Sequence, residues 1–300
     1  MARQSSSRRS FLGRSAIGLA AALALPRTAW AAQLPYMDRI GLQLYTVRNQ
    51  MAEDKVRTLQ AVANAGYKQV ELMAINKEAF EIAAVARDHG LMVHSAFMDW
   101  KSIVTPQAPE TPSVNQTLEW AERLGLRHIV FGYIGRGERE TSDQYKRIAD
   151  ASNAAADGAR QAGMRMCYHN HSFEFAALQG SDQTGFDVLV ESFDPKLMEF
   201  ELDVFWVAIG GHDPMQWMRK LGHRISQVHL KNLKPGVGTV TDEGKVPIDA
   251  FQEVGNGTID MPAVMRLAKD IGVAQCHVEQ DQSPAPLDSI AKSIEFLKRA

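Results

Sequence analysis

Gln227-Val228-His229-Leu230-Lys231 alternates polar and apolar side chains, and that alternation decides the fold. Successive side chains of a strand point to opposite faces, so Gln227, His229 and Lys231 share one face while Val228 and Leu230 take the other. Working outward, other short runs carry polar groups in the same way: Gln43 and Tyr45, Gln69 and Glu71, His94, His169 and His171, Glu201 and Asp203, then His277, Glu279 and Asp281. In a parallel barrel one phase points inward and the other packs beneath the helices. Ionisable side chains are costly to bury unless paired or metal-bound. Their collection on one phase therefore marks the C-terminal mouth, where the active sites of such barrels lie.

The strands implied are Ile40–Val47, Tyr67–Leu72, Leu91–Met98, His128–Ile134, Met164–Phe173, Met198–Trp206, Ile225–Asn232 and Gln275–Asp281. Helical patterns lie between them at Glu53–Ala65, Lys77–His89, Val114–Leu124, Asp143–Ala162, Pro214–Leu221, Met261–Asp270 and Leu287–Lys298. Several close on a glycine, as in Ala65-Gly66 and Leu124-Gly125, the usual helix stop. Such units over residues 32–300 fit a single-domain (β/α)8 TIM barrel of the α/β class, which takes about 250 residues. A doubly wound open sheet would place a glycine-rich phosphate turn after its first strand, and Gly41-Leu42-Gln43-Leu44-Tyr45-Thr46 has none. The irregular stretch Leu233 to Thr258 is expected to fold over the mouth, with Gly236, Gly238 and Gly244 allowing it to move.

Ahead of the barrel, Ser7-Arg8-Arg9-Ser10-Phe11-Leu12 resembles the twin-arginine export motif. An apolar stretch from Ala16 to Leu25 and the cleavage signal Ala29-Trp30-Ala31 follow in order. The stretch falls short of the ~20 residues that span a bilayer, so residues 1–31 read as a signal peptide and the mature form has no stable membrane span. The expectation is export by the twin-arginine machinery to a periplasmic or secreted location.

The formal net charge of −2 offers no basic field for a phosphate backbone, which argues against nucleic acid as a partner. A small carbohydrate fits better, and a homo-oligomer is compatible with the composition. Cys167 and Cys276 sit in apolar strand runs and read as buried free thiols.

The polar layer supplies His169, Asp203, His229 and Glu279 from four successive strands. Imidazole and carboxylate donors converging from different directions suit one divalent metal ion: manganese, cobalt, magnesium or zinc. Glu279 is the first candidate for catalytic base, with Glu174 and Lys231 as catalytic partners. Glu71, His94, His171, Trp206 and Glu253 are the candidates for holding substrate, and Phe97 and Trp100 for apolar walls. His89, His128, His212 and His223 are read as surface residues without a role.

Ile40-Gly41-Leu42-Gln43-Leu44-Tyr45-Thr46-Val47-Arg48, Tyr168-His169-Asn170-His171, Leu202-Asp203-Val204-Phe205-Trp206, Val228-His229-Leu230-Lys231 and Val278-Glu279-Gln280-Asp281 together resemble the xylose-isomerase-like barrels of the sugar phosphate isomerase/epimerase family. Glu253-Val254-Gly255-Asn256-Gly257-Thr258-Ile259-Asp260 resembles a mouth loop of one subgroup. The resemblance covers Arg39 to Ala300. Ketose 3-epimerases of that family use two metal-linked glutamates as acid and base. Glu279 matches the second, whereas His169 stands in place of the first. The histidine form is similar to members related to inosose dehydratase and to enzymes acting on 3-keto-glycosides.

The resemblance implies proton removal beside a carbonyl, with metal-dependent isomerisation or epimerisation of a non-phosphorylated sugar as the leading expectation. A lyase or glycoside-cleaving reaction on a 3-keto-glycoside is the alternative. An apurinic endonuclease would need three metals and a basic face. A non-catalytic sugar-binding barrel would have no use for a base beside metal ligands.

Overall fold

The computed structural model describes residues 33–300, and the expected signal peptide lies outside them. Eight parallel strands close into a barrel. They are β1 (Gly41–Gln43), β2 (Gln69–Leu72), β3 (Met92–Phe97), β4 (His128–Phe131), β5 (Arg165–His169), β6 (Met198–Asp203), β7 (Ile225–Leu230) and, after a two-stranded hairpin, β10 (Gln275–Val278). β1 closes the ring by pairing with both β2 and β10, Gly41 lying opposite Gln69 and His277.

The outer ring holds α1 (Arg48–Glu53), α2 (Lys55–Ala65), α3 (Lys77–Asp88), α4 (Lys101–Val104), α5 (Val114–Leu124), α6 (Ser142–Gln161), α7 (Gly185–Ser192), α8 (Val204–Ile209), α9 (Pro214–Leu221), α10 (Met261–Asp270) and α11 (Pro286–Arg299). Local chemistry sets their ends. Thr141 and Gln144 form a reciprocal capping box on α6, and Asp213 caps α9 ahead of a proline in its first turn. Asp54 both stops α1 and caps α2, so the helix expected from Glu53 is divided there. The strand-facing apolar phase, including Leu42, Val70, Leu202, Val228 and Leu230, is fully buried under these helices.

The strands are shorter than the apolar runs suggest. β5 stops at His169 and β6 at Asp203, where the chain turns into helical conformation. Val204–Trp206, expected as strand, forms the first turn of α8, and α7 carries no expectation from the sequence. The segment over the mouth contains the antiparallel pair β8 (Asn232–Leu233) and β9 (Phe251–Gln252). It rests on a small apolar cluster of Phe205, Trp206, Ile209, Leu233, Ala250 and Phe251. At the opposite end Tyr36 donates its hydroxyl to the Val273 carbonyl at 2.8 Å. Both cysteines are free and buried. Among the described residues no helix is long and apolar enough to cross a membrane.

Candidate metal centre and cavity

The C-terminal mouth opens into a cavity of about 550 Å³ whose lining includes Phe97, Tyr133, His169, His171, Trp206, Lys231, Glu279 and Asp281. Asp203, at the end of β6, divides its carboxylate between two tasks. Oδ1 accepts from the backbone N–H groups of Phe205 and Trp206 at 2.9 and 3.0 Å, capping α8. That contact turns Oδ2 toward the barrel axis, where it is buried with no aligned hydrogen-bond donor and the Lys231 ammonium 3.1 Å away. Asn170 ties the ends of β5 and β6 together by accepting from the Asp203 N–H at 3.0 Å.

Around Asp203 Oδ2 stand His229 Nδ1 at 3.8 Å and His169 Nε2 at 4.0 Å. Glu279 Oε2 lies 2.8 Å from His229 Nδ1. Tetrahedral donors about 2.1 Å from an ion sit about 3.4 Å apart, so these separations bracket what a divalent cation requires. His169, Asp203 and His229 form one group of donors close enough to share an ion. Asp203 Oδ2, the oxygen of that carboxylate with no backbone contact, stands between two imidazoles, a donor set that fits such an ion. Burial, reinforced by the neighbouring His229 and His171, holds the His169 pKa far below the usual imidazole range, whereas the Glu201, Glu71 and Glu279 carboxylates outweigh burial and raise that of His229, so an ion at its Nδ1 would take the place of a proton.

Lys231 is 1% exposed and threefold paired: its Nζ lies 3.1 Å from Asp203 Oδ2, 2.8 Å from Glu279 Oε2 and 2.5 Å from Asp281 Oδ1. Burial disfavours its charge, but the Asp203, Asp281 and Glu279 carboxylates outweigh that and raise its pKa. The same pairing overcomes the burial of Glu279 and lowers its carboxyl to about 2, so it stands ionised. Asp281 moves the other way: burial pushes it up to about 6 despite Lys231.

Beneath this layer lies a second one. Glu71 Oε2 sits 2.7 Å from His229 Nε2, while Glu71 also accepts from Gln43 at 2.8 Å and Ser95 at 2.6 Å. Glu201 accepts from Gln227 at 3.0 Å and lies 3.2 Å from His169 Nδ1. Glu71, Glu201, His229 and His277 form the other donor group among the described residues. The His277 ring reaches the axis because Gly41 has no side chain, since a Cβ there would lie 2.2 Å from its Cδ2. These carboxylates orient the two imidazoles above them, the outer support that metal-binding histidines normally have.

Four expected site residues lie elsewhere. Glu71 belongs to the lower layer, fully buried, and does not line the cavity. His94 is displaced by a register irregularity between β2 and β3, which brings Ser95 opposite Glu71 and leaves His94 in a shallow depression with Arg87 and Gly125. Glu174 follows the end of β5 in a turn of 3-10 helix, so the two-residue alternation no longer applies. It is buried behind the cavity, accepting from the Tyr168 hydroxyl at 2.5 Å and the His171 N–H at 2.9 Å. Burial pushes its carboxyl up to about 8 against those two donors. Glu253 is drawn to α11, where it accepts from Ser289 at 3.1 Å and Lys292 at 3.2 Å.

His171 and Trp206 do line the cavity, with ring centroids 5.2 Å apart. Trp100 does not, although its ring meets Tyr133 edge to face at 5.7 Å. His128, read as a surface residue, is buried low in the barrel, 3.4 Å from the Gln275 amide. The mouth segment is latched to the β4–α6 connection: Glu243 accepts from Arg139 at 2.7 Å and from the Tyr133 hydroxyl at 3.1 Å. Tyr133, Glu243 and Asp281 were not singled out by sequence for the site. Asp281 alone carried a signal, its shared phase with His277 and Glu279.

Comparison with known proteins agrees with this architecture. An inosose dehydratase of Clostridium botulinum is 23% identical over 272 residues, covering 81% of this chain and 88% of that protein. A sugar phosphate isomerase/epimerase from Parabacteroides distasonis superposes with a TM-score of 0.68 at 21% identity, covering 91% of this chain and 96% of the other. A 3-keto-D-glucoside 4-epimerase from E. coli gives a TM-score of 0.63 at 16% identity, with 87% and 99% covered. The family model described as xylose isomerase-like TIM barrel matches residues 59–300, and the chain belongs to that family.

Proposed function

We propose that the cavity takes a non-phosphorylated carbohydrate bearing a carbonyl, and that the protein, with one divalent metal ion, removes the proton beside that carbonyl to isomerise or epimerise the sugar. The observation that carries this reading is the convergence of Asp203 Oδ2, His169 Nε2 and His229 Nδ1 at the mouth, with Glu279 Oε2 2.8 Å from the last of them. Those four residues would hold the ion, which when bound supplies Lewis-acid charge to the carbonyl and a neighbouring hydroxyl oxygen. Glu279, ionised, accepts the proton. Lys231, beside it, donates to the substrate oxygen on which negative charge grows. Phe97, Trp206 and Phe251 give the sugar apolar faces, and the latched mouth segment excludes water.

Charge argues against a phosphorylated substrate. The lining carries Glu243, Glu279 and Asp281 against Lys231, whose ammonium is already shared by three carboxylates. That lining leaves no free ammonium or guanidinium to receive a phosphate dianion. The twin-arginine motif at Arg8-Arg9 supports the same choice, because an exported enzyme of the periplasm or exterior meets free sugars rather than sugar phosphates.

A second reading, elimination instead of reprotonation, has its own support. Glu279, Asp281 and Lys231 all come from the ends of β7 and β10, one side of the mouth, while β3 and β4, opposite them in the ring, reach the cavity with Phe97 and Gly132. Epimerisation needs a proton delivered to the opposite face, whereas elimination does not. NMR of products formed from keto-sugars and 3-keto-glycosides in deuterated water separates the two. A deuterated epimer or isomer supports the first reading, and an unsaturated product with a released group the second. Unchanged, undeuterated substrate throughout would reject both.

A further inference from the structure

Beneath the mouth, hydrogen bonding leaves one ring of the lower layer unaccounted for. His277 is fully buried, and both of its ring nitrogens lack a partner. A neutral imidazole carries an N–H on one nitrogen and a lone pair on the other, and leaving them unpaired in the interior is costly. The ring's Nδ1 faces two carboxylates, 3.8 Å from Glu71 Oε1 and 3.9 Å from Glu201 Oε1. Those separations are too long for hydrogen bonds. They lie close to the ~3.4 Å between donors that share a tetrahedral ion.

His229 reaches the same place from above. Its Nε2 lies 2.7 Å from Glu71 Oε2 and 3.3 Å from Glu201 Oε2. A hydrogen bond from His229 to Glu71 accounts for the shorter contact but gives His277 nothing. One donor atom from each of Glu71, Glu201, His229 and His277 lies within 4.8 Å of the others. The carboxylates retain the capacity to bind. Glu71 Oε1 accepts from Ser95 at 2.6 Å and Glu201 Oε1 from Gln227 at 3.0 Å, and a carboxylate oxygen has two lone pairs.

Charge points the same way. Glu71, Glu201, Asp203, Glu279 and Asp281 bring carboxylates to these two layers, and the Lys231 ammonium is spent on the upper three. That ammonium together with a divalent ion at the mouth still leaves negative charge uncovered below, where burial is tolerated only for paired or metal-bound groups.

We infer that Glu71, Glu201, His277 through Nδ1 and His229 through Nε2 hold a second divalent ion, zinc, beneath the mouth, with His229 bridging the two ions through its two nitrogens. Two imidazoles and two carboxylates fill a tetrahedral set with no position open to water or substrate, so this ion is structural and takes no part in proton transfer. Each imidazole gives up to solvent the proton of any nitrogen that takes an ion. The inference needs no substrate and stands whether or not the carbohydrate reading does.

Elemental analysis of protein produced in zinc-supplemented medium, then dialysed against metal-free buffer, tests it. The native chain is expected to hold two zinc ions, Asp203→Asn one, and Asp203→Asn with Glu201→Gln none. Cobalt in place of zinc should give Asp203→Asn the strong visible absorption of a four-coordinate ion, unchanged by added sugar. One ion in the native chain that Asp203→Asn loses, no ion in either, an ion kept by the double variant, or a pale six-coordinate cobalt spectrum overturns the inference. The native chain, Asp203→Asn and the cobalt spectrum decide it even if the double variant does not fold. One four-coordinate ion held equally by the native chain and Asp203→Asn would keep the lower site and reject the mouth ligand set instead.

Discussion

Lys231 Nζ stands 2.8 Å from Glu279 Oε2 inside the barrel, so the group that would take the substrate proton is held ionised by a cation beside it. The same ammonium lies 3.1 Å from Asp203 Oδ2. Lys231 therefore occupies the oxygens that a divalent ion would share, and its positive charge neutralises the carboxylates until an ion arrives.

Lys231→Met is expected to destabilise the metal-free protein by about 3–5 kcal/mol, because it leaves buried carboxylates without a partner. Added manganese should then stabilise the variant more than the native chain, since the ion no longer meets an ammonium and binding favours the folded state. Urea unfolding with and without manganese measures both quantities. A variant as stable as the native chain without metal would show that the pairing has no energetic weight.

Asp203→Asn should separate metal binding from folding. Asparagine caps a helix nearly as well as aspartate, so α8 keeps its start and the change in stability stays within about 1 kcal/mol. The charge that faces the imidazoles is gone, and the manganese content found by elemental analysis should fall by at least tenfold, as in His229→Ala. Native manganese content in both variants would rule out the ligand set.

Glu174 gives the protein a pH dependence unrelated to catalysis. Its folded carboxyl is pushed up to about 8 by burial, above the ordinary value of 4.5 in the unfolded chain. Between those values the folded state keeps a proton that the unfolded chain has released, so its contribution to stability is lost as pH rises from about 4.5 toward 8. The loss is on the order of a few kcal/mol. Glu174→Gln should flatten that fall in denaturant titrations between pH 5 and 8, a range set by the same two values. A slope identical to the native chain's would place the titration elsewhere.

The barrel and much of its mouth were legible because strand periodicity survives wherever the strand does. His169, Asp203, His229 and Glu279 share one phase; the structure groups the donor atoms of the first three and sets Glu279 beside His229 at 2.8 Å. Legibility failed where the period broke. The irregularity opposite Val70 and Glu71 exchanged His94 for Ser95, which no single sequence announces. The turn after His169 carried Glu174 out of phase. α8 passed for strand because Val204–Ile209 is wholly apolar, although the capping aspartate before it was a readable helix start. The lower layer of Glu201 and His277 was visible as phase but silent as function, since orientation of a ligand depends on distances between strands far apart in sequence.

Exchange of the proton beside the carbonyl, followed by NMR in deuterated water for native protein and for Glu279→Gln, tests the central claim most directly. With manganese and a 3-keto-glucoside, the native protein should exchange that proton, and Glu279→Gln should do so about 10²–10⁴-fold more slowly. Metal retained by the variant would show that the loss is one of proton transfer rather than of the ion. Exchange at the native rate in metal-loaded Glu279→Gln would contradict the assignment of this glutamate, and no exchange by the native protein with any keto-sugar or keto-glycoside would contradict the chemistry itself.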